Sequence, residues 1–294
     1  MSDRAPTILI FGLGYVGERF AMKLREEGWI VSTILRDAVK ANYASSLGLN
    51  VVSLADAQGM LDLAKTTDAL LITAAPAEDG CPAYRTLSAT VAQNSRLQWL
   101  GYLSSTSVYG DQECRWTNED STLKACKGPG LARIQAEASW QRLASEHDLR
   151  LKLFRLAGIY GPGRSALNRL RKGEARRVVK PGHVVSRIHV DDAAQLLLLS
   201  IRRPDVGSIY NVSDLEPASG ADVVLYAAWL LGEVAPPEVA FDEASLPAAA
   251  ARFFIECRRI SSDRAQRELE WKPIYLSYRE GFRELAKAMV ASGQ

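Results

Sequence analysis

The chain has 294 residues, of which 47% are hydrophobic and 24% are charged, and its formal net charge is +2. This is the composition of an ordinary globular protein, and the length suits one large α/β domain or two domains. The nearly neutral charge argues against binding to nucleic acid or to an acidic membrane surface. There is no apolar signal-peptide core and no uncharged apolar stretch of about 18 residues, so we expect a cytoplasmic protein without a membrane span.

The cysteines and histidines give no sign of a structural cross-link or a metal site. The four cysteines are scattered, without a Cys-x-x-Cys pair, and stand at Cys81, Cys114, Cys126 and Cys257. This pattern argues against a disulfide framework and suits a reducing compartment. The three histidines, at positions 147, 183 and 189, lack the spacing of paired ligands. We therefore predict no disulfide framework and no metal.

A glycine-rich turn near the start is the most informative segment. An apolar strand runs into Gly12-x-Gly14-x-x-Gly17, and a helical stretch follows. Gly12 permits the tight turn, Gly14 lets the backbone approach a pyrophosphate, and Gly17 lets the helix pack closely. The N–H groups at the helix N-terminus then point at the phosphates. We predict a dinucleotide site here, including Tyr15 and Val16, rather than an ordinary glycine-rich turn.

The second predicted strand ends at Arg36, roughly 20 residues after the glycines. An NAD site usually places an acidic residue at this point to accept hydrogen bonds from the ribose. Here Arg36 stands before Asp37. We predict that Arg36 reads a 2′-phosphate, helped by Ser32 or Thr33, and that NADP is preferred, with NAD as the other usable cofactor. The alternative is that Asp37 accepts from the ribose while Arg36 stacks on adenine.

Strand and helix patterns alternate through the first half of the chain. Further apolar strands are predicted over residues 51–54, 69–75, 99–104 and 151–156, separated by helices such as 57–65 and 83–96. This order implies parallel strands joined by right-handed crossovers, and the continuous apolar runs imply cover on both faces. Ala74 and Ala75, before Pro76, are expected to border the cofactor.

The second half is less regular, with helices predicted near 165–172, 191–201, 220–232 and 277–291 and strands near 186–190 and 208–212. We predict an α/β fold with a doubly wound parallel sheet of the Rossmann type and a smaller, mainly C-terminal substrate-binding portion. The expected division is an NAD(P)-binding domain over 1–163 and a substrate-binding portion over 164–294. Residues 183–214 are expected to return to the Rossmann core.

Several segments together resemble the short-chain dehydrogenase/reductase family, in its extended and atypical, epimerase/dehydratase-like branch. The segments are Gly-Leu-Gly-Tyr-Val-Gly at 12–17, Ser-Ser-Thr-Ser-Val-Tyr-Gly at 104–110, Phe-Arg-Leu-Ala-Gly-Ile-Tyr-Gly-Pro-Gly at 154–163, Arg-Ile-His-Val-Asp-Asp at 187–192 and Ile-Tyr-Asn-Val-Ser-Asp at 209–214. The resemblance implies that Ser105 matches the active-site Ser/Thr of the family. It also implies that residues 155–163 pass near the nicotinamide and that His189 and Asp191 brace the domain junction.

Two features depart from that family. Its extended members usually carry Gly-x-x-Gly-x-x-Gly, and this chain has the shorter spacing. The second departure is the missing Tyr-x-x-x-Lys pair, in which Tyr transfers a proton while Lys lowers its pKa and holds the ribose. The matching positions are Leu131 and Gln135. Leu131 cannot transfer a proton, whereas Gln135 could still hydrogen-bond a ribose.

Other residues could replace the missing pair. Tyr109 is the first candidate for a catalytic proton donor beside Ser105, and Tyr160, Lys124 and Lys127 are further candidates. Packing or backbone hydrogen bonding is the alternative role for both tyrosines. A general acid must lie within hydrogen-bond reach of the substrate, and the sequence does not supply that geometry.

We predict an NAD(P)-binding oxidoreductase or epimerase/dehydratase-like enzyme that acts on a small hydroxylated substrate. One alternative for this substrate is a phosphorylated or nucleotide-linked compound. A basic cluster that begins at Arg164 and ends at Arg177 could contact such a phosphate, or could form a solvated helix face. The alternative function is a non-catalytic dinucleotide-binding redox sensor or regulator. A true nucleotide-sugar epimerase is less favoured because the proton shuttle is missing. A homodimer is a further expectation.

Overall fold

A computed structural model describes residues 4–77, 79–242, 244–246 and 248–291. Its central sheet has seven strands, numbered with the others in chain order: β1 (Thr7–Phe11), β2 (Ile30–Leu35), β3 (Asn50–Ser53), β4 (Ala69–Ile72), β5 (Trp99–Ser105), β7 (Leu151–Leu156) and β11 (Ile209–Val212). Three two-stranded parallel pairs lie outside it: β6 (Trp116–Thr117) with β13 (Arg259–Ile260), β8 (Gly158–Tyr160) with β10 (Arg187–His189), and β9 (Arg177–Val179) with β12 (Glu238–Ala240).

The helices of the described chain are α1 (Tyr15–Glu26), α2 (Ala38–Ser46), α3 (Ala57–Thr66), α4 (Pro82–Ala92), α5 (Gly128–His147), α6 (Ala166–Arg171), α7 (Val190–Arg202), α8 (Gly220–Leu231), α9 (Ala248–Ile255), α10 (Asp263–Glu268) and α11 (Tyr278–Ala291). A 3₁₀ turn covers Thr106–Tyr109. Among the described residues, no helix is both long and apolar enough to cross a bilayer.

All pairings in the central sheet are parallel, and the strand order is β11-β7-β5-β4-β1-β2-β3. The order reverses between β1 and β4, which is the point where doubly wound sheets bind their ligands. The predicted fold class, an α/β fold with a Rossmann-like sheet, is therefore confirmed. A ligand site is therefore expected in the crevice at the carboxyl ends of β1 and β4.

Each face of the sheet carries its own apolar core. Phe20, Ala21 and Leu24 of α1 are fully buried on one face, in a cluster that also includes α7 residues. Trp140 of α5 packs on the other face with residues from α3 and α4. β11, in the later part of the chain, is an edge strand of the sheet and pairs with β7. The proposed division into two portions stays a prediction.

Two predicted elements end earlier than the apolar pattern suggested. The strand expected over 69–75 stops at Ile72, because the N–H groups of Thr73 and Ala74 both donate to the Phe11 carbonyl and turn the chain. The helix expected over 83–96 stops at Ala92. Beyond it, the Asn94 side chain is buried and donates to backbone carbonyls of another segment, so it ends the helix.

The expectation about cysteines was wrong for one pair. Cys114 and Cys257 form a disulfide across 143 residues of sequence. The pair lies just before β6 and β13, and the N–H of Cys114 donates to the carbonyl of Cys257. Because this contact depends on two strands of only two residues each, the spacing of the cysteines in the sequence could not reveal it. Cys81 is buried and free, and Cys126 is exposed and free.

Candidate cofactor and active site

The glycine-rich turn between β1 and α1 is shaped by contact with Thr73. Gly12 has φ +86°, and a Cβ atom there would lie 3.0 Å from Thr73 Oγ1. A Cβ atom on Gly17 would lie 2.9 Å from Thr73 Cγ2. Both positions therefore require glycine, the first for backbone conformation and the second for close packing. Thr73 follows β4 directly, and nothing in the sequence pattern singled it out.

Gly14 differs from the other two glycines of the motif, because the space around its Cα is open. It has an extended backbone, and a Cβ atom there would find only Thr73 Oγ1, at 4.0 Å. Gly14 is the N-cap of α1 and provides no side-chain cap. The first N–H groups of α1, those of Tyr15, Val16 and Gly17, therefore suit an anion. The Val16 side chain is buried, so that residue can offer only its backbone.

At the end of β2, the adjacent charged residues Arg36 and Asp37 lie in different environments. Arg36 is exposed and makes no hydrogen bond or ion pair with any residue that the structure describes. Asp37 is the N-cap of α2 and accepts from the Lys40 N–H at 2.8 Å. Its capping role weakens the alternative in which Asp37 accepts from a ribose. The β2 end lies beside the glycine turn, because Gly12 N–H donates to the Ile34 carbonyl at 3.1 Å.

The two helper residues expected next to Arg36 are not available. Thr33 is fully buried, and its hydroxyl donates to the Ile10 carbonyl at 3.1 Å. Ser32 is also buried. On the other side of the turn, Ala74 is half-buried and Ala75 is exposed, so both can border a ligand in the crevice.

At the tip of β5, Ser105 is half-buried and caps the 3₁₀ turn, where its Oγ accepts from the Ser107 N–H at 3.1 Å. The start of α5 packs directly on this turn, since a Cβ atom on Gly130 would lie 2.6 Å from the Ser107 carbonyl oxygen. Leu131 follows this contact and is half-buried, and Gln135 is exposed one helical turn later.

Tyr109 lies in a buried polar network. It has no exposed surface, and its hydroxyl donates to Asn211 Oδ1 at 2.7 Å and accepts from Arg155 Nη1 at 3.0 Å. Arg155 pairs with Glu137 of α5 at 2.8 Å, and Glu137 also accepts from the Ser104 hydroxyl. Burial raises the pKa of Tyr109. This network fixes α5 to the sheet and leaves the hydroxyl no free direction toward a substrate.

Tyr160 is similarly occupied. Its side chain is buried against His189 and Phe282, and its hydroxyl donates to the Ser277 carbonyl at 3.3 Å. Burial raises its pKa well above the ordinary value. Neither tyrosine is therefore placed as a proton donor in this arrangement.

The loop after β8 folds back on the glycine turn. Gly161 and Arg164 form a tight hairpin with two backbone hydrogen bonds of 3.0 Å. The Tyr15 hydroxyl donates to the Pro162 carbonyl at 2.8 Å. The Arg164 guanidinium lies over the Tyr15 ring, with Cζ 5.8 Å from its centroid. Sequence reasoning placed this loop near the nicotinamide through the family resemblance, but it missed the contact with Tyr15.

His189 and Asp191 connect α7 to α1. His189 is buried, caps α7 and accepts through Nδ1 from the Asp191 N–H at 3.2 Å. Asp191 pairs with Arg19 of α1 at 2.9 Å. Burial lowers the pKa of His189 to about 4, so its ring is neutral at pH 7. This geometry fits a structural brace better than a catalytic role.

Comparisons with known sequences show the family of the chain. The sequence model of the NAD dependent epimerase/dehydratase family matches residues 8–213. Protein YeeZ of Escherichia coli (strain K12) is 30% identical over 246 residues, which cover 79% of this chain and 85% of that protein. A Streptomyces sp protein called 3-diazoavenalumate denitrifying reductase is 31% identical over 176 residues, covering 56% of this chain and 57% of that protein.

Solved structures give the same fold. A functionally unknown conserved protein from Silicibacter pomeroyi DSS is 38% identical, with TM-score 0.89, and the match covers 97% of this chain and 99% of that one. UDP-glucuronic acid 4-epimerase from Bacillus cereus, solved in complex with NAD, is 16% identical with TM-score 0.73, covering 96% and 99%. At that identity, the second similarity concerns the fold alone.

Proposed function

Because the chain belongs to the NAD-dependent epimerase/dehydratase family, we propose that it is an NADP(H)-dependent oxidoreductase that acts on a small substrate at the tip of β5. One observation carries the cofactor part of this proposal. The uncapped N-terminus of α1 follows Gly14, and the end of the neighbouring strand presents Arg36 without a partner among the described residues. Together they offer one place for a pyrophosphate and one for a 2′-phosphate.

The residues of the crevice have distinct tasks in this proposal. The N–H groups of Tyr15, Val16 and Gly17 hold the pyrophosphate, and Arg36 pairs with the 2′-phosphate. Ala74 and Ala75 border the cofactor after β4, and Gln135 hydrogen-bonds a ribose. When bound, the nicotinamide supplies or accepts the hydride. Ser105 orients a polar group of the substrate.

Proton transfer is the step for which this site is poorly equipped. Leu131 and Gln135 stand where the resembling family has its Tyr and Lys, and the Tyr109 and Tyr160 hydroxyls are both engaged inside the protein. Ser105 has a hydroxyl, but a serine hydroxyl is a poor proton donor at neutral pH. General acid–base assistance typically contributes about 10²–10⁴-fold to a rate. We therefore expect slow reduction of ordinary carbonyl substrates.

A substrate whose reduction needs no proton avoids this deficit. The Streptomyces relative is named for the reductive denitrification of a diazo compound. When a hydride reaches the carbon that bears a diazonium group, a C–H bond forms, the C–N bond breaks and N₂ leaves with the bonding electrons. The positive charge of the group is cancelled by the hydride, so no general acid is required. We propose hydride acceptors of this cationic type as the substrate class.

The test follows the hydride itself. The protein is mixed with NADPH deuterated at C4 and with an aryldiazonium salt, and in parallel with a panel of aldehydes, ketones and oxo-sugar nucleotides. We expect deuterium in the arene product, on the ring carbon that carried the diazonium group, and a rate of transfer that Tyr109→Phe does not change. Carbonyl substrates should be reduced slowly, because the general acid that is missing here typically contributes about 10²–10⁴-fold to such a rate. The control is the Gly14→Val protein, which should not bind NADPH and therefore gives the rate of the reaction that does not use the cofactor site.

Two outcomes would overturn this proposal. Efficient carbonyl reduction that survives both Tyr109→Phe and Ser105→Ala would place the active site elsewhere. Tight NADPH binding without deuterium transfer to any substrate would favour the second candidate, a dinucleotide-binding redox sensor. The observation that favours the second candidate is the same absence of a Tyr–Lys pair at Leu131 and Gln135.

A further inference from the structure

The hairpin after β8 is held tightly over the start of α1. A Cβ atom on Gly161 would lie 2.5 Å from the Tyr15 hydroxyl and 2.7 Å from Val190 Cγ1, so only glycine fits. The Tyr15 hydroxyl also anchors the hairpin through its hydrogen bond to the Pro162 carbonyl. Gly163 has φ +73°, as the third position of a Pro-Gly turn requires. The position of Arg164, the last residue of the hairpin, is therefore well defined.

Arg164 places a positive charge without an anionic partner, among the described residues, beside the start of α1. Its side chain is exposed, and its guanidinium makes no hydrogen bond or ion pair within the part of the chain that the structure describes. It rests over the ring of Tyr15, the first residue of α1. Arg19, the other cation close to Tyr15, is already paired with Asp191. Arg164 is thus free to take an anionic partner beside the uncapped end of α1.

We propose that Arg164 binds the pyrophosphate of the dinucleotide and that Tyr15 positions it. The inference rests on the proposed cofactor site and adds a residue that the glycine motif does not include. An arginine pairs well with phosphate oxygens because its planar guanidinium can donate two parallel hydrogen bonds. It also brings the cofactor a positive charge that Gln135 cannot supply. The ring of Tyr15 supports the guanidinium, and its hydroxyl holds the hairpin in place.

Four ligands distinguish the pyrophosphate from the 2′-phosphate. NADPH carries both groups, NADH and ADP-ribose carry the pyrophosphate alone, and 2′-AMP carries the 2′-phosphate alone. Arg164→Ala should weaken NADPH, NADH and ADP-ribose about 10- to 150-fold and leave 2′-AMP unchanged. Arg36→Ala should weaken NADPH and 2′-AMP and leave NADH and ADP-ribose unchanged. Isothermal titration calorimetry measures all four without any turnover.

Matched variants separate this role from a general loss of charge or of fold. Arg171→Ala removes an exposed arginine from the same basic segment and should change none of the four affinities. Arg164→Lys should retain part of the affinity, because it keeps the charge and loses the paired donors. Tyr15→Phe should weaken the same three ligands severalfold, since it removes only the hydrogen bond to Pro162. Thermal unfolding without ligand should be the same for wild type and Arg164→Ala.

Unchanged affinity of Arg164→Ala for NADH and ADP-ribose would overturn the inference. A raised KM for a phosphorylated substrate, with cofactor affinity unchanged, would also overturn it and would assign Arg164 to the substrate instead. If the wild-type protein binds none of the four ligands, the proposed cofactor site itself is wrong.

Discussion

Arg36 and Asp37 are adjacent in sequence and occupy different environments at the end of β2. The Asp37 carboxylate is occupied by the N-terminus of α2, whereas the Arg36 guanidinium has no partner within the described chain. This difference favours Arg36 as the residue that reads the cofactor.

We expect Arg36→Ala to lower the affinity for NADPH about 10- to 150-fold and to leave the affinity for NADH nearly unchanged, because a charge-assisted contact contributes about 1.5–3 kcal/mol. Titration of both cofactors by protein fluorescence measures this. Lys40→Ala is the control, since it removes an exposed cation from the adjacent helix. Tighter binding of NADH than NADPH to the wild type would contradict the NADP preference.

At this scale the sequence predicted residues whose role depends on a local motif. Gly12 and Gly17 are required where the motif implied it. Thr73 could not be found in this way, because it contacts a segment far away in sequence. The contact between Arg164 and Tyr15 was missed for the same reason, although the basic cluster had included Arg164. Tyr109 was misleading for a similar reason, since its buried partners Arg155 and Asn211 come from later strands.

Helices α1 and α7 are joined by an ion pair beside a buried histidine, and neither group is part of the proposed active site. Asp191 of α7 pairs with Arg19 of α1, and the neutral His189 ring packs between Tyr160 and Tyr275. Burial raises the pKa of the neighbouring Asp192 to about 6, while it lowers that of His189 to about 4. The two groups therefore change the stability of the protein with pH in opposite directions.

His189 gives a pH prediction with a definite sign. Its pKa is about 4 in the folded protein and near 6.5 when unfolded, so its contribution to stability is lost as the pH falls from about 6.5 toward 4. His189→Asn keeps a side chain that can cap α7 and removes the titration. The stability advantage of the wild type should shrink by roughly 1–2 kcal/mol between pH 7 and pH 5.

Urea unfolding of both proteins across that pH range measures the difference, and the contribution of Asp192 is common to both curves. Parallel curves for the two proteins would show that His189 does not titrate as described.

Helix α5 shows the limit of periodicity at the scale of elements. Its buried face includes Gly130 and the charged Glu137, which pairs with Arg155. A buried ion pair of this kind puts a charged residue on the buried face of the helix, where the periodicity that predicts a helix would require an apolar residue.

At the scale of the whole molecule, the parallel sheet was predictable because its strands are continuous apolar runs separated by helices. The smaller paired strands were mostly missed. β6 and β13 have two residues each, and β8, β9 and β12 have three, which is too short for any pattern to emerge. Their pairing joins segments that are distant in sequence, and it brings Cys114 and Cys257 together.

The disulfide between Cys114 and Cys257 should stabilise the whole chain, because it closes a loop of 143 residues in the unfolded state. We expect Cys257→Ser, or reduction of the wild type, to lower the free energy of unfolding by about 2–4 kcal/mol. Guanidinium unfolding with and without dithiothreitol measures this. Cys126→Ser is the control, since Cys126 is exposed and free. Equal stability in both redox states would contradict a stabilising bond.

NADPH binding to the wild type and to Gly14→Val decides whether the turn between β1 and α1 binds a dinucleotide. A valine is compatible with the extended backbone at Gly14, and its Cβ atom has no protein neighbour closer than 4.0 Å, so the variant should fold. The added side chain would occupy the path of the pyrophosphate. Calorimetry should show NADPH binding to the wild type and none to the variant, with equal melting temperatures in the absence of ligand. If a folded Gly14→Val protein bound NADPH with unchanged affinity, this turn would not be the dinucleotide site.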